Sequence, residues 1–302
     1  MTKIGRVLTA MATPFRDDGS LDLDGAQQLA RHLCDTGSEG LIVAGTTGEA
    51  PTLTDTEKVE LFRAVKQAVG DAAVVAGTGT NDTRHSVHLS EQAMAVGADA
   101  LLGTVPYYNK PAQEGMYQHF RAMSQVGPVI MYNIRGRTGI NMTAETTLRC
   151  AAEPGIVGVK ESSGDLDQIG AISGGAPQGF EIWSGDDNLL LPVLAIGGYG
   201  VISVAAHVAG LTIRRMIDAH LEGRPAEARD LHLALLPLCG ALLGMASNPM
   251  PLKSLLRHLG FRVGPFRLPM TDLPAADLER LAGLARSMGD LLTLAEAVSP
   301  AR

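Results

Sequence analysis

Residues 129–160 read VIMYNIRGRTGINMTAETTLRCAAEPGIVGVK, and the alternation inside that stretch decides the architecture. The runs 129–132 and 156–160 are short, apolar and rich in Val and Ile, without the polar alternation of a half-solvated strand. Such runs suit parallel strands covered on both faces. Between them, residues 144–152 have helical character and are long enough to carry the chain back to a parallel start. The unit recurs outward in both directions, with further strands expected over 7–10, 40–44, 73–76, 100–105, 181–183 and 200–204. Helical segments at about 23–35, 83–96, 113–124, 166–172 and 189–196 separate them. Another helix opens on the capping box Thr54-x-x-Glu57 and carries Val59, Phe62, Val65 and Val69 on one face. Eight such units predict an α/β fold, a (β/α)8 TIM barrel over residues 1–224.

After a helix over about 211–221 the strand signal stops, and 226–243, 250–258 and 274–297 read as helices. The turn at Gly223-Arg224-Pro225 is too short to be a flexible linker, so residues 225–302 are expected to form a C-terminal helical appendage packed on the barrel.

Composition narrows the function classes. With 45% hydrophobic and 19% charged residues among 302, the chain can bury a large core. A net charge of -7 and the lack of a Lys/Arg stripe argue against nucleic acid as a partner. The three cysteines, Cys34, Cys150 and Cys239, are odd in number and far apart, which suits small buried hydrophobes in a reducing compartment. No apolar run approaches the ~20 residues of a membrane span, and 7–12 is too short for a signal-peptide core. A cytoplasmic protein with no membrane partner is the expectation.

Lys160 closes the run Ile156-Val157-Gly158-Val159, which delivers one amine to a strand-to-loop junction. Burial among apolar neighbours favours a neutral amine, the nucleophile that a Schiff base needs. Lys3, Lys58, Lys66, Lys110 and Lys253 lack that setting in sequence. Barrel enzymes work where strands meet the following loops, so the polar residues just past each strand are the candidates. In Gly45-Thr46-Thr47-Gly48-Glu49 the glycines would let backbone N–H groups and hydroxyls approach a carboxylate, or would simply make a tight turn. Tyr132, one strand before Lys160, could place a phenol beside an imine, or be a packed structural tyrosine. Tyr108 offers a second phenol, although Tyr107-Tyr108 equally suits a subunit contact. Arg137, in a Gly-bounded loop after the fifth strand, has the planar fork for a substrate carboxylate, and also suits a surface position. Asp186-Asp187 is read as a structural pair at a helix start. His85-x-x-His88 has no third ligand, and Gly77-Thr78-Gly79 lacks the rest of any nucleotide fingerprint, so neither metal nor cofactor is expected.

With GTTGE, YYNKP, YN-x4-TG, GVKES, SGDD and GVISV in order, the chain resembles the dihydrodipicolinate synthase/N-acetylneuraminate lyase superfamily of class I aldolases over nearly its whole length. Arg137 in RTG and Asn248-Pro249-Met250-Pro251-x-Lys253 look like the synthase branch. That resemblance implies condensation of pyruvate with aspartate semialdehyde. It makes Lys160 the pyruvyl Schiff base, Tyr132 the proton donor and acceptor, and Thr46 and Tyr108 the rest of the relay. Thr47 and Ile202 would hold pyruvate, Gly185 would line the site, and Arg137 would receive the semialdehyde carboxylate. A homotetramer with Tyr107-Tyr108 near an interface is also implied. One departure is Arg135-Gly136, where the family usually has proline and a small residue; Arg135 either shares the incoming carboxylate or points to solvent. In lysine-inhibited relatives an effector pocket lies beside the GTTGE loop. Asp55, Lys58 and His85 at the matching positions, with only Asn81 and Tyr107 of the expected type, imply weak or absent inhibition.

Other readings compete. A lyase of a 2-keto-3-deoxy sugar acid or N-acetylneuraminate would share the pyruvate half-reaction, but Arg137 and the NPMP-x-K segment oppose it. A non-catalytic small-acid-binding paralogue should have lost Lys160, Tyr132 or Thr46, and all three stand. A metal-dependent aldolase would need histidines that the strand ends do not offer.

Overall fold

The structure, a computed structural model, describes residues 4–293. Eight parallel strands close on themselves: β1 (Val7–Ala10), β2 (Gly40–Val43), β3 (Ala73–Gly77), β4 (Ala100–Thr104), β5 (Val129–Asn133), β6 (Ile156–Glu161), β7 (Glu181–Ser184) and β8 (Gly200–Ser203). The expected (β/α)8 TIM barrel is therefore what the chain forms, with β8 paired back to β1. Its apolar strand residues split by the two-residue period of a pleated strand. Leu8, Ile42, Leu102, Ile130, Tyr132, Trp183 and Ile202 share the cluster inside the barrel. Val7, Leu41, Leu101, Met131, Val159 and Val201 instead join the larger cluster formed with helix residues such as Leu29, Phe62 and Phe120. Trp183 fits the lumen because β6 carries Gly158, where a Cβ would come within 2.6 Å of the indole. Its Nε1 donates to Gly5 O at 2.9 Å and ties the N-terminal end of the barrel.

The surrounding helices are α1 (Leu23–Asp35), α2 (Asp55–Ala68), α3 (Thr83–Ala95), α4 (Gln113–Ser124), α5 (Arg135–Thr138), α6 (Ala144–Ala151), α7 (Leu166–Gly175), α8 (Leu190–Ala195) and α9 (Ala206–Leu221). Several start on side-chain caps that fix the preceding loop: Asp22 on α1, the Thr54–Glu57 box on α2, Thr143 on α6 and Asp165 on α7. Each such cap stabilises its helix by about 1 kcal/mol. Beyond α9 the chain turns into α10 (Pro225–Gly244), α11 (Met250–His258) and α12 (Ala275–Ser287). Leu231, Leu235, Leu238 and Leu242 of α10 are buried in the same core that α9 lines.

Four details depart from the sequence expectation. Strand 40–44 stops at Val43, because Ala44 takes a left-handed φ of 55°. The Arg137 segment is a single helical turn rather than an open loop. Helix α9 begins at Ala206, before a break at Ala209 where φ is -133°, so 211–221 is only its second part. The last helix stops at Ser287 and gives way to a 3-10 turn at Gly289–Leu291; the expected 294–297 portion lies outside the described residues. Among the described residues no helix is long and apolar enough to cross a membrane. All three cysteines are free, and burial pushes the thiols of Cys34 and Cys150 up to about 11 and about 12.

Candidate active site

Lateral register builds the centre of the site. Tyr132 on β5, Lys160 on β6 and Trp183 on β7 are consecutive partners, and Tyr132 and Trp183 belong to the cluster inside the barrel. Lys160 lies between them, 6% exposed, with Nζ 4.3 Å from the centroid of the Tyr132 ring. The next pair along, Asn133 and Glu161, is also in register and points the other way. Glu161 is buried and accepts from Asn133 Nδ2 at 3.0 Å, Gln168 Nε2 at 3.1 Å and Ser163 N at 2.8 Å. Burial raises the Glu161 pKa, and these donors oppose the rise. Pinning the outward pair fixes the pleat, and so keeps Tyr132 and Lys160 facing inward.

Gly185 follows β7 beside this pair. A Cβ there would collide with Ser162 Oγ and come within 2.9 Å of Lys160 Cε, so a side chain at this position would have to displace both. Ser162 Oγ is itself buried with no partner. Ile202 on β8 is fully buried in the inner cluster. Asp187, also buried, accepts from Ser203 Oγ and from Val204 N and Ala205 N, both at 3.0 Å, which secures the end of β8. Asp187 is thus structural as read, although it serves the start of α9 rather than its own helix. Asp186 differs. Burial raises its pKa while the charge of Lys160 pulls it back, so it belongs to the electrostatics of the lysine.

The loop after β2 supplies Thr46, half-buried, and Thr47, buried. Thr47 Oγ1 accepts from Asn248 Nδ2 at 3.0 Å, and Asn248 O accepts from Arg137 Nη2 at 3.2 Å. A residue of the C-terminal segment thereby bridges two candidates in the connections that follow β2 and β5. Asn248 Oδ1 is buried without a partner. Arg137 remains exposed, as does Arg135.

Two placements differ from expectation. Tyr108 is 89% exposed, with φ at 72°, and is not gathered with Lys160 and Tyr132 within one chain. Lys253 does not lack burial: Lys253 and Glu49 are both fully buried and meet at 2.6 Å. Burial brings the Lys253 ammonium down to about 8 against the pull of Glu49. Lys3 lies outside the described residues. His85 pairs with Asp55 at 2.7 Å, and no cluster of three or more metal-binding side chains exists among the described residues. The residues beside Lys160 that the sequence reading does not single out are Asn133, Glu161 and Ser162, and Asp186 is read there only as structural. Their signal was the second residue of YN and the residues adjoining the lysine and the glycine.

A buried lysine beside a tyrosine at the strand ends of a closed barrel is an arrangement that suits a carbonyl substrate. More narrowly, the model of the dihydrodipicolinate synthetase family matches residues 3–287, and the chain belongs to that family. It is 54% identical over 288 residues to a 4-hydroxy-tetrahydrodipicolinate synthase of Moorella thermoacetica, covering 94% of this chain and 98% of that one. A dihydrodipicolinate synthase of Cyanidioschyzon merolae, solved with lysine bound, superposes with a TM-score of 0.92 at 46% identity, over 95% of this chain and 98% of that one. A monomeric dihydrodipicolinate synthase variant superposes at 0.91 with 36% identity, over 95% and 97%.

Proposed function

We propose that the chain condenses pyruvate with L-aspartate 4-semialdehyde through an imine at Lys160, giving 4-hydroxy-tetrahydrodipicolinate for lysine and diaminopimelate biosynthesis. The observation that carries this reading is Lys160 Nζ held 4.3 Å from the centroid of the Tyr132 ring inside the barrel. Lys160 Nζ adds to the pyruvate ketone, water leaves, and a proton removed from C3 turns the imine into an enamine. That carbon then bonds to the aldehyde carbon, whose oxygen takes up a proton. The semialdehyde's own amine attacks the imine carbon, closes the ring and releases Lys160. Tyr132 moves the protons, with Thr46 and Tyr108 completing its relay. Thr47 and Ile202 hold pyruvate, and Gly185 keeps the approach clear. The sugar-acid lyase reading is not favoured, since the relatives share the synthase name at about half identity over nearly the whole chain. Turnover of pyruvate with aspartate semialdehyde, against none with sugar-acid aldehydes, is the test. The reverse preference would overturn the assignment.

Arg137 is exposed at the mouth and anchored through Asn248, a position suited to an incoming carboxylate. Arg137→Ala is expected to raise KM for the semialdehyde by about tenfold or more, with KM for pyruvate little changed. An effect confined to pyruvate would exclude the role.

The exposed, left-handed Tyr108 supports assembly, because its place in the relay requires a second copy of the chain to bring it to a site. A homotetramer is proposed, with the Tyr107-Tyr108 turn at an interface. Sedimentation of the active enzyme at assay concentration should give an oligomer, and an active monomer would refute it. Weak or absent inhibition by lysine follows from Asp55 already pairing with His85 at 2.7 Å and lying 3.9 Å from Lys58. Half-maximal inhibition at sub-millimolar lysine and saturating pyruvate would contradict it. Catalysis in residues 1–224, support from 225–302 and a cytoplasmic setting complete the proposal.

A further inference from the structure

The turn that carries Thr46 and Thr47 is unusually constrained for a surface connection. Glu49 closes it in a left-handed conformation, φ 54°, that side chains seldom adopt, and its N–H donates to Thr46 O at 3.1 Å. Gly48 O accepts from Thr13 Oγ1 at 2.7 Å. The rest of the hold comes from the C-terminal segment. Lys253 Nζ donates to Glu49 Oε1 at 2.6 Å and to Pro265 O at 2.8 Å, while Arg267 N donates to Glu49 Oε2 at 3.1 Å. The ammonium also lies 4.4 Å from the centroid of the Phe15 ring. Asn248, just ahead of α11, reaches Thr47 itself. Both carboxylate oxygens of a fully buried glutamate are thus engaged, and neither end of the pair touches solvent.

An apolar pair of the same volume would pack there without the desolvation that two buried charges cost. An ion pair adds direction: it holds one carboxylate in one orientation, and through it one conformation of the turn. We propose that Lys253 and Glu49 are positioning residues that lock the Thr46-Thr47 turn to α11, so that the C-terminal helices take part in binding pyruvate. This rests on the reading of Thr46 and Thr47 as pyruvate-site residues.

The test uses the full chain and two variants, Glu49→Gln and the double Glu49→Gln/Lys253→Met, which leaves no unpaired buried charge. Folding is checked first by circular dichroism and melting. KM for pyruvate, kcat and the borohydride adduct at Lys160 are then read well below the melting transition. In a variant that folds, KM for pyruvate should rise about tenfold, kcat should fall by less than about threefold, and the adduct should still form at saturating pyruvate. A merely structural pair would lower the melting temperature and leave KM alone. KM within about twofold of the wild type in a folded variant overturns the proposal. So does failure of both variants to fold, which would make the pair a folding requirement only. Absence of the adduct in the wild type would instead sink the imine reading, and the two failures stay distinct.

Discussion

Lys160→Ala is expected to abolish turnover, by at least about 10⁴-fold, and to remove the borohydride-trapped pyruvate adduct at the same time. On the proposed reading the imine acts as an electron sink that eases loss of the C3 proton and gives the enamine that forms the carbon–carbon bond. Burial alone would not single out Lys160. Lys253 is more deeply buried, and burial brings its ammonium down to about 8. Position separates them. Lys253 is pinned by Glu49 and Pro265 away from the lumen, whereas Lys160 stands in the row between Tyr132 and Trp183 at the strand ends. Peptide mapping of the trapped adduct should therefore find the added mass on the peptide containing Lys160. A label on Lys253, or near-normal turnover of the variant, would sink the assignment.

How far such distinctions are visible before folding depends on the range of the interaction. The barrel was legible because each parallel strand is buried on both faces and so appears as an unbroken apolar run, as in 129–132 and 156–160. The neighbourhood of Tyr132 and Lys160 was legible for a topological reason: consecutive strands of a closed barrel are partners, and the register makes these two residues direct ones. Strand ends were less so. Ala44 leaves β2 through a left-handed φ that nothing in its side chain announces. Tyr108 looks like a packing aromatic in sequence, yet its own left-handed φ accompanies a side chain turned out to solvent. Least legible were contacts between distant segments. Lys253, at the start of an amphipathic helix, reads locally as a surface lysine, and only the fold reveals Glu49 opposite it. Asn248 likewise acquires meaning only when the C-terminal segment meets Thr47 and Arg137.

Tyr132→Phe should lower kcat by about 10²–10⁴-fold while leaving the fold and the imine in place. Tyr132 is 4% exposed and packs in the inner cluster, and phenylalanine preserves that ring, nearly its volume and its approach to Lys160 Nζ. The melting temperature should therefore move by only a few degrees, since one hydroxyl is removed and no cavity of methyl size is made. What is lost is the hydroxyl that, on the proposed reading, carries a proton from C3 of the bound pyruvate and returns one to the new alkoxide. Two measurements isolate that step. Borohydride should still trap pyruvate on Lys160 in the variant, because the amine and its setting are unchanged. Exchange of the pyruvate methyl protons in heavy water, followed by proton NMR without the second substrate, should slow along with kcat, because enamine formation needs the same phenol. Normal exchange with depressed kcat would move Tyr132 to the later carbon–carbon step. Normal kcat would remove it from the chemistry altogether, leaving the hydroxyl of Thr46 or a water as the proton carrier.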